Sequence, residues 1–364
     1  MSERLKAPFP YFGGKSKAAP AVWAAFGGGV KNYVETFAGS AAMLLAAPEG
    51  KRIETINDFD GFVANFWRAL AHDPDAVAHA ADWPVNEVDL VARHSWLVRH
   101  RAPITEQLCA DPAWYDARSA GWWVWGACNW IGGSWCSGDG PWVHDGTRLV
   151  RKEGGAGRGI KRQLPHLGNA GQGINRQLPH LGNAGRGINR KLPYLSRAGQ
   201  GILQRPPDST TPRGEFIRAW MRELHQRLRD VRVTCGDWQR VLKDSVTTRH
   251  GLTAVFLDPP YEKGDMDYGA GGMGMGIADA VREWCAANGN DPKLRIVLCG
   301  HEGDNDALLA QGWHIRTWKA GGGYAMREEA IANAKSETVW CSPHCVPARG
   351  SAFNDDLFAG VVNG

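Results

Sequence analysis

Apolar and polar positions alternate between two rhythms along this chain. KNYVETFAG (31–39) reads as a strand running into a tight glycine turn, and SAAMLLAAP begins a helix after it. RIETIND (52–58) is a second strand, and GFVANFWRALAHD (61–73) places Phe62, Phe66 and Leu70 at helical spacing. Strand, glycine turn, helix, strand, acid, helix is the opening of a doubly wound α/β sheet. The rhythm returns after residue 216. Phe216, Trp220, Leu224 and Leu228 form a helical stripe, VRVTC (231–235) a strand, and TAVFLDPPY (253–261) an apolar strand with a polar end. A helix over 277–288 places Ile277, Val281 and Trp284 on one face. RIVLCG (295–300), WHIRTWKA (313–320) and ETVWCS (337–342) supply three more strands.

Residues 71–215 break this rhythm. Residues 86–108 read as helical, and a dense block of rings follows: Trp114, Trp122, Trp123, Trp125, Trp130, Trp135 and Trp142. A 14-residue repeat comes next: GRGIKRQLPHLGNA (157–170), GQGINRQLPHLGNA (171–184), GRGINRKLPYLSRA (185–198) and a truncated GQGI (199–202). Each copy has one Ile and two Leu to bury among Gly and Pro, which predicts a surface-exposed insertion rather than a solenoid. The pattern therefore predicts a discontinuous domain, 1–70 with 216–364, interrupted by an insertion at 71–215 that contains the tryptophan block and the repeats at 157–202. The block's rings are expected to form the insertion's own small core.

Charge sharpens this division. The formal net charge of +4 conceals +11 between Arg148 and Arg205, where twelve Lys and Arg stand against Glu153, and −7 over the remainder. A basic segment on an acidic protein points to a polyanionic partner. No apolar run reaches the ~18 residues of a membrane span, and MSERLKAPFP has no apolar signal core; both favour a cytoplasmic protein with no membrane partner. Nothing in the pattern requires a protein partner. The eight cysteines read as reduced thiols. Cys341 and Cys345 flank His344, but this is not a common zinc-finger spacing, so no metal is expected.

The chemistry concentrates in Asp258-Pro259-Pro260-Tyr261, at the carboxyl end of a buried strand, where open α/β sheets bind ligands. Two prolines stiffen the backbone and leave carbonyls without competing amides. An exocyclic amine conjugated to a ring needs acceptors on its N–H groups before its lone pair can act as a nucleophile. Asp258 and the Pro259 carbonyl suit that demand, and Tyr261 can stack on a base.

With these residues the chain resembles the Dam-like, DPPY-type adenine-specific DNA methyltransferases, particularly their phage and prophage versions. The resemblance covers most of residues 8–70 and 230–345, in the family's motif order. It implies a Rossmann-like S-adenosylmethionine-dependent methyltransferase fold carrying an inserted target-recognition region. Tyr11-Phe12-Gly13-Gly14-Lys15 matches the first motif, so that Tyr11 and Lys15 contact S-adenosylmethionine, Lys15 near its carboxylate. A P-loop also ends in Gly-Lys-Ser, but it needs a glycine where Phe9 stands. Glu35-Thr36-Phe37-Ala38-Gly39-Ser40-Ala41 matches the cofactor loop, with Phe37 and Gly39 at the cofactor; Thr36 replaces the usual Pro, and a frequent second glycine near Ser40 or Ala41 is missing. Asp58, favoured over Asp60 by its strand-end position, takes the ribose hydroxyls. Asp237 and Trp238 take the cofactor's adenine, core packing being the competing role for the tryptophan.

The activity implied is transfer of a methyl group to N6 of an adenine flipped out of double-stranded DNA. Arg158, Lys161, Arg162, Arg176, Arg186, Arg190 and Lys191 would hold the phosphates. The alternatives are cytosine-N4 methylation, which makes the same demand on the nitrogen, and a DNA-binding module that has lost catalysis.

Overall fold

The computed structural model describes residues 5–11, 15–130, 135–136, 142–144, 149–151, 201–203, 211–260, 276–318 and 337–347. Gly13, Gly14, Tyr261 and the seven expected phosphate-binding residues between Arg158 and Lys191 lie outside them.

Seven strands form one sheet: β1 (Asn32–Glu35), β2 (Ile53–Asp58), β5 (Val231–Cys235), β6 (Thr253–Leu257), β7 (Leu294–His301), β8 (His314–Trp318) and β9 (Glu337–Cys341). Their spatial order is β5-β2-β1-β6-β7-β9-β8. The first five run parallel, while β9 lies antiparallel between β7 and β8. Counted within the sheet in chain order, this is 3-2-1-4-5-7-6, the doubly wound order with one antiparallel strand slipped in before the last. The order reverses between β1 and β6, which pair through Asn32↔Thr253 and Glu35↔Phe256.

The central strands are apolar on both faces, as parallel strands covered on both sides must be. Tyr33, Ile56, Phe256, Val297 and Val339 point into one core with α1 (Ala19–Phe26) and α3 (Gly61–His72). Val34, Val255, Leu257, Ile296 and Leu298 point into the other, with α8 (Ile277–Asn288). The expected strands and long helices all appear, with two shifts of face. The buried stripe of α7 (Arg213–Leu228) is Ile217, Met221, Leu224 and Leu228, leaving Phe216 and Trp220 at its flank. In α8, Val281 and Cys285 are buried, with Ile277 and Trp284 beside them. In each case neighbouring apolar residues allowed two stripes, and packing selected one.

The glycine turn after β1 leads into α2 (Ala42–Leu45), a single helical turn. Beyond α3 come α4 (Pro74–Ala81), α5 (Glu87–Ala110) and α6 (Ala117–Asn129), started by the caps Asp73, Asn86 and Asp116. Strands β3 (Trp142–His144) and β4 (Leu149–Arg151) pair antiparallel. The α6 tryptophans do not close a core of their own. Trp123 meets Phe9 at 4.9 Å and Phe66 at 5.9 Å between ring centroids, so it belongs to the core beside the sheet. Buried Arg68 ties the layers together, its guanidinium donating to the carbonyls of Leu108, Asp111, Trp114 and Val233.

Candidate active site

The carboxyl ends of β1 and β6 diverge at the reversal point, and a cleft opens there. It is lined by Tyr11, Lys15, Glu35, Phe37, Ser40 and Asp258, among others. Three segments distant in sequence thus converge: the stretch before α1, the β1–α2 loop and the end of β6.

The loop is held in an unusual shape. Gly39 has φ +46°, and a Cβ there would lie 2.3 Å from a Tyr11 ring carbon, so the missing side chain seats the tyrosine. The Gly39 amide donates to Asp58 Oδ2 at 2.8 Å, and its carbonyl accepts from buried Trp67 Nε1 at 2.8 Å. Ala41 is left-handed at φ 50°, one of the positions where the resembled family often has its second glycine; a methyl group is the smallest side chain that can stand there.

Asp58 ends β2 and bridges two amides, Gly39 at Oδ2 and Asp60 at Oδ1, each at 2.8 Å. Burial pushes its carboxyl up to about 7 against those hydrogen bonds. Asp60 instead caps α3 through the Phe62 amide and pairs with Arg101 at 3.2 Å. Glu35, at the end of β1, was not singled out by the sequence. Its Oε2 accepts from Tyr33 Oη at 2.9 Å and from the Leu44 amide at 3.2 Å, yet burial pushes it up to about 8. Only its place in the cofactor-loop motif could have marked it.

Lys15 is 4% exposed, and its ammonium lies 3.1 Å from Asp258 Oδ2. The first motif and the last are therefore joined directly, with the lysine against the carboxylate of the DPPY segment. Pro259 is buried behind it and Pro260 is half-buried. Trp238 is buried in the core beside Val34 and Val255, its ring 6.2 Å from that of Phe37. Asp237 is exposed and caps a 3-10 turn through the Gln239 amide at 2.8 Å.

A doubly wound sheet with an acid-rich cleft at its switch point defines a Rossmann-like methyltransferase fold. Residues 11–90 match the family of D12 class N6 adenine-specific DNA methyltransferases, so the chain carries that domain and is a DNA methyltransferase acting on adenine N6. The matched segment runs from Tyr11 through the cleft loop, β2 and α3 into α5, and lends no support to the cytosine or inactive alternatives. No curated protein matches the chain. A methyl donor and a DNA substrate follow from the family. Among the described residues no helix is long and apolar enough to cross a membrane.

Proposed function

We propose that the cleft between β1 and β6 holds S-adenosylmethionine beside an adenine flipped out of double-stranded DNA. The observation that carries this reading is the Lys15–Asp258 ion pair, which seats the DPPY carboxylate at the edge of the glycine-loop cleft. The residues present fit the donor's chemistry. Glu35, Asp58 and Asp258 surround the region with carboxylates, and burial pushes the two most buried of them up. A cationic ligand beside them favours their charged forms. Asp58 suits a ribose diol, Phe37, Asp237 and Trp238 the adenine end, and Tyr11 and Lys15 the methionine end. Once bound, S-adenosylmethionine supplies an electrophilic methyl group.

The protein's own work is on the target amine. The Asp258 carboxylate and the Pro259 carbonyl each accept one N–H, which draws the nitrogen lone pair out of conjugation and aims it into the cleft. Lys15 fixes the carboxylate for this, a role beyond contact with the donor. Pro260 stiffens the corner, and Tyr261 stacks on the base. Residues 71–215 serve as the target-recognition insertion within a catalytic domain made of 1–70 and 216–364, its basic repeats gripping the phosphates that flank the flipped base. Such an enzyme works where DNA is exposed to it, in the cytoplasm.

Asp258→Ala is expected to lower methyl incorporation into duplex DNA by a factor on the order of 10² to 10³ or more, with much of the DNA affinity retained. Transfer at near the wild-type rate would overturn the assignment.

A further inference from the structure

Parallel strands are usually joined by a helical crossover, but β5 and β6 are joined by short 3-10 turns at Trp238–Val241 and Thr248–His250. The sheet face over β2 and β5 is left with a cavity of about 200 Å³, lined by Thr55, Asn57, Arg232, Thr234, Arg240, Val241 and Val246. It shares no lining residue with the methyl-transfer cleft. The register explains its walls. Thr55 pairs with Arg232 and Asn57 with Thr234, so four polar side chains stand together on one face where the central strands carry valine and leucine.

Within this wall Thr55 is 2% exposed, and its hydroxyl has no hydrogen-bond partner among the described residues. Its neighbours are satisfied: Thr234 donates to the Ile56 carbonyl and Asn57 Oδ1, and Asn57 donates to the Thr36 and Gly236 carbonyls. A buried hydroxyl without a partner is costly, and it faces a cavity whose exposed rim carries Arg232 and Arg240. Arg240 donates to the Cys235 carbonyl, and among the described residues no carboxylate pairs with either guanidinium.

We propose that this cavity is a second binding site, for an oxyanion of the phosphate class. The anion accepts from the Thr55 hydroxyl at its buried end and from the two guanidiniums at the rim. The phosphate is either a free one or a group of the DNA backbone reaching in from the rim.

Titration of the full chain with inorganic phosphate, without methyl donor or DNA, tests the site. Saturable binding is expected, weakened about tenfold in Thr55→Val and in Arg232→Gln. Thr55→Val keeps the side-chain shape and removes an unsatisfied hydroxyl, so its melting temperature without phosphate should equal or exceed that of the wild type, which separates lost binding from lost folding. Competition by a short duplex would identify the backbone as the source, and its absence a free phosphate; either result supports the site. Phosphate that does not saturate, or that binds both variants as it binds the wild type, overturns it.

Discussion

Glu35 shows how a single residue can couple the site to pH. Its carboxyl group is sealed at the end of β1, and burial pushes it from an ordinary 4.5 up to about 8. A carboxyl raised in the folded state contributes stability that is fully present below about pH 4.5 and is lost as pH rises through 8. Glutamine mimics the protonated form and can still accept from Tyr33 and Leu44. Glu35→Gln should therefore leave stability nearly unchanged near pH 4 and raise it by a few kcal/mol at pH 8, since a tenfold change in proton affinity is worth about 1.4 kcal/mol. Urea denaturation at the two pH values checks this; an equal effect at both would mean that the carboxyl is not buried as described. The acids that end strands, Asp58 and Asp258, were legible in the sequence because each closes a segment that reads as a strand, Asp258 after the apolar run AVFL (254–257). Glu35 and Thr55 were not, since burial and the lack of a partner arise from pairing with strands far away in the chain.

Among the elements, α6 depends most on close approach. A Cβ on Gly121 would lie 2.6 Å from the Val77 carbonyl oxygen and 2.5 Å from the Ala80 Cβ, so the glycine lets α6 settle onto α4. Gly121→Ala should force the helices apart and destabilise the protein by about 1–3 kcal/mol despite alanine's better helix propensity, a loss visible as a lower thermal midpoint. An unchanged or higher midpoint would show that the contact has room to give. The strands of the sheet were legible because buried strands flanked by turns leave compact apolar runs. The placement of α4–α6 was not. A tryptophan-rich helix reads the same whether its rings close a separate core or, as Trp123 does against Phe9 and Phe66, join an existing one. The antiparallel place of β9 was likewise invisible, because periodicity carries no strand direction.

At the scale of the whole molecule, charge is divided between a basic middle segment and an acidic remainder. If the repeats carry the grip on DNA, replacing Arg186, Arg190 and Lys191 by glutamine should reduce the salt dependence of binding, the log–log slope falling by up to about 2.7. Equilibrium binding over a salt series measures it, and an unchanged slope would remove the repeats from the DNA surface. The sheet has a consequence for how the enzyme comes into being. Strand β1 lies beside β6, with Asn32 paired to Thr253, so the proposed methyl-transfer cleft is assembled from contacts of very long sequence separation. Such closures are slow, because the loop entropy is lost before the contacts form. A growing chain that has passed the glycine loop still has only one wall of its pocket. The second wall, with the Asp258 carboxylate proposed to act on the base, arrives some two hundred residues later, so on that reading the nascent protein is inert toward the genome until its central sheet has closed.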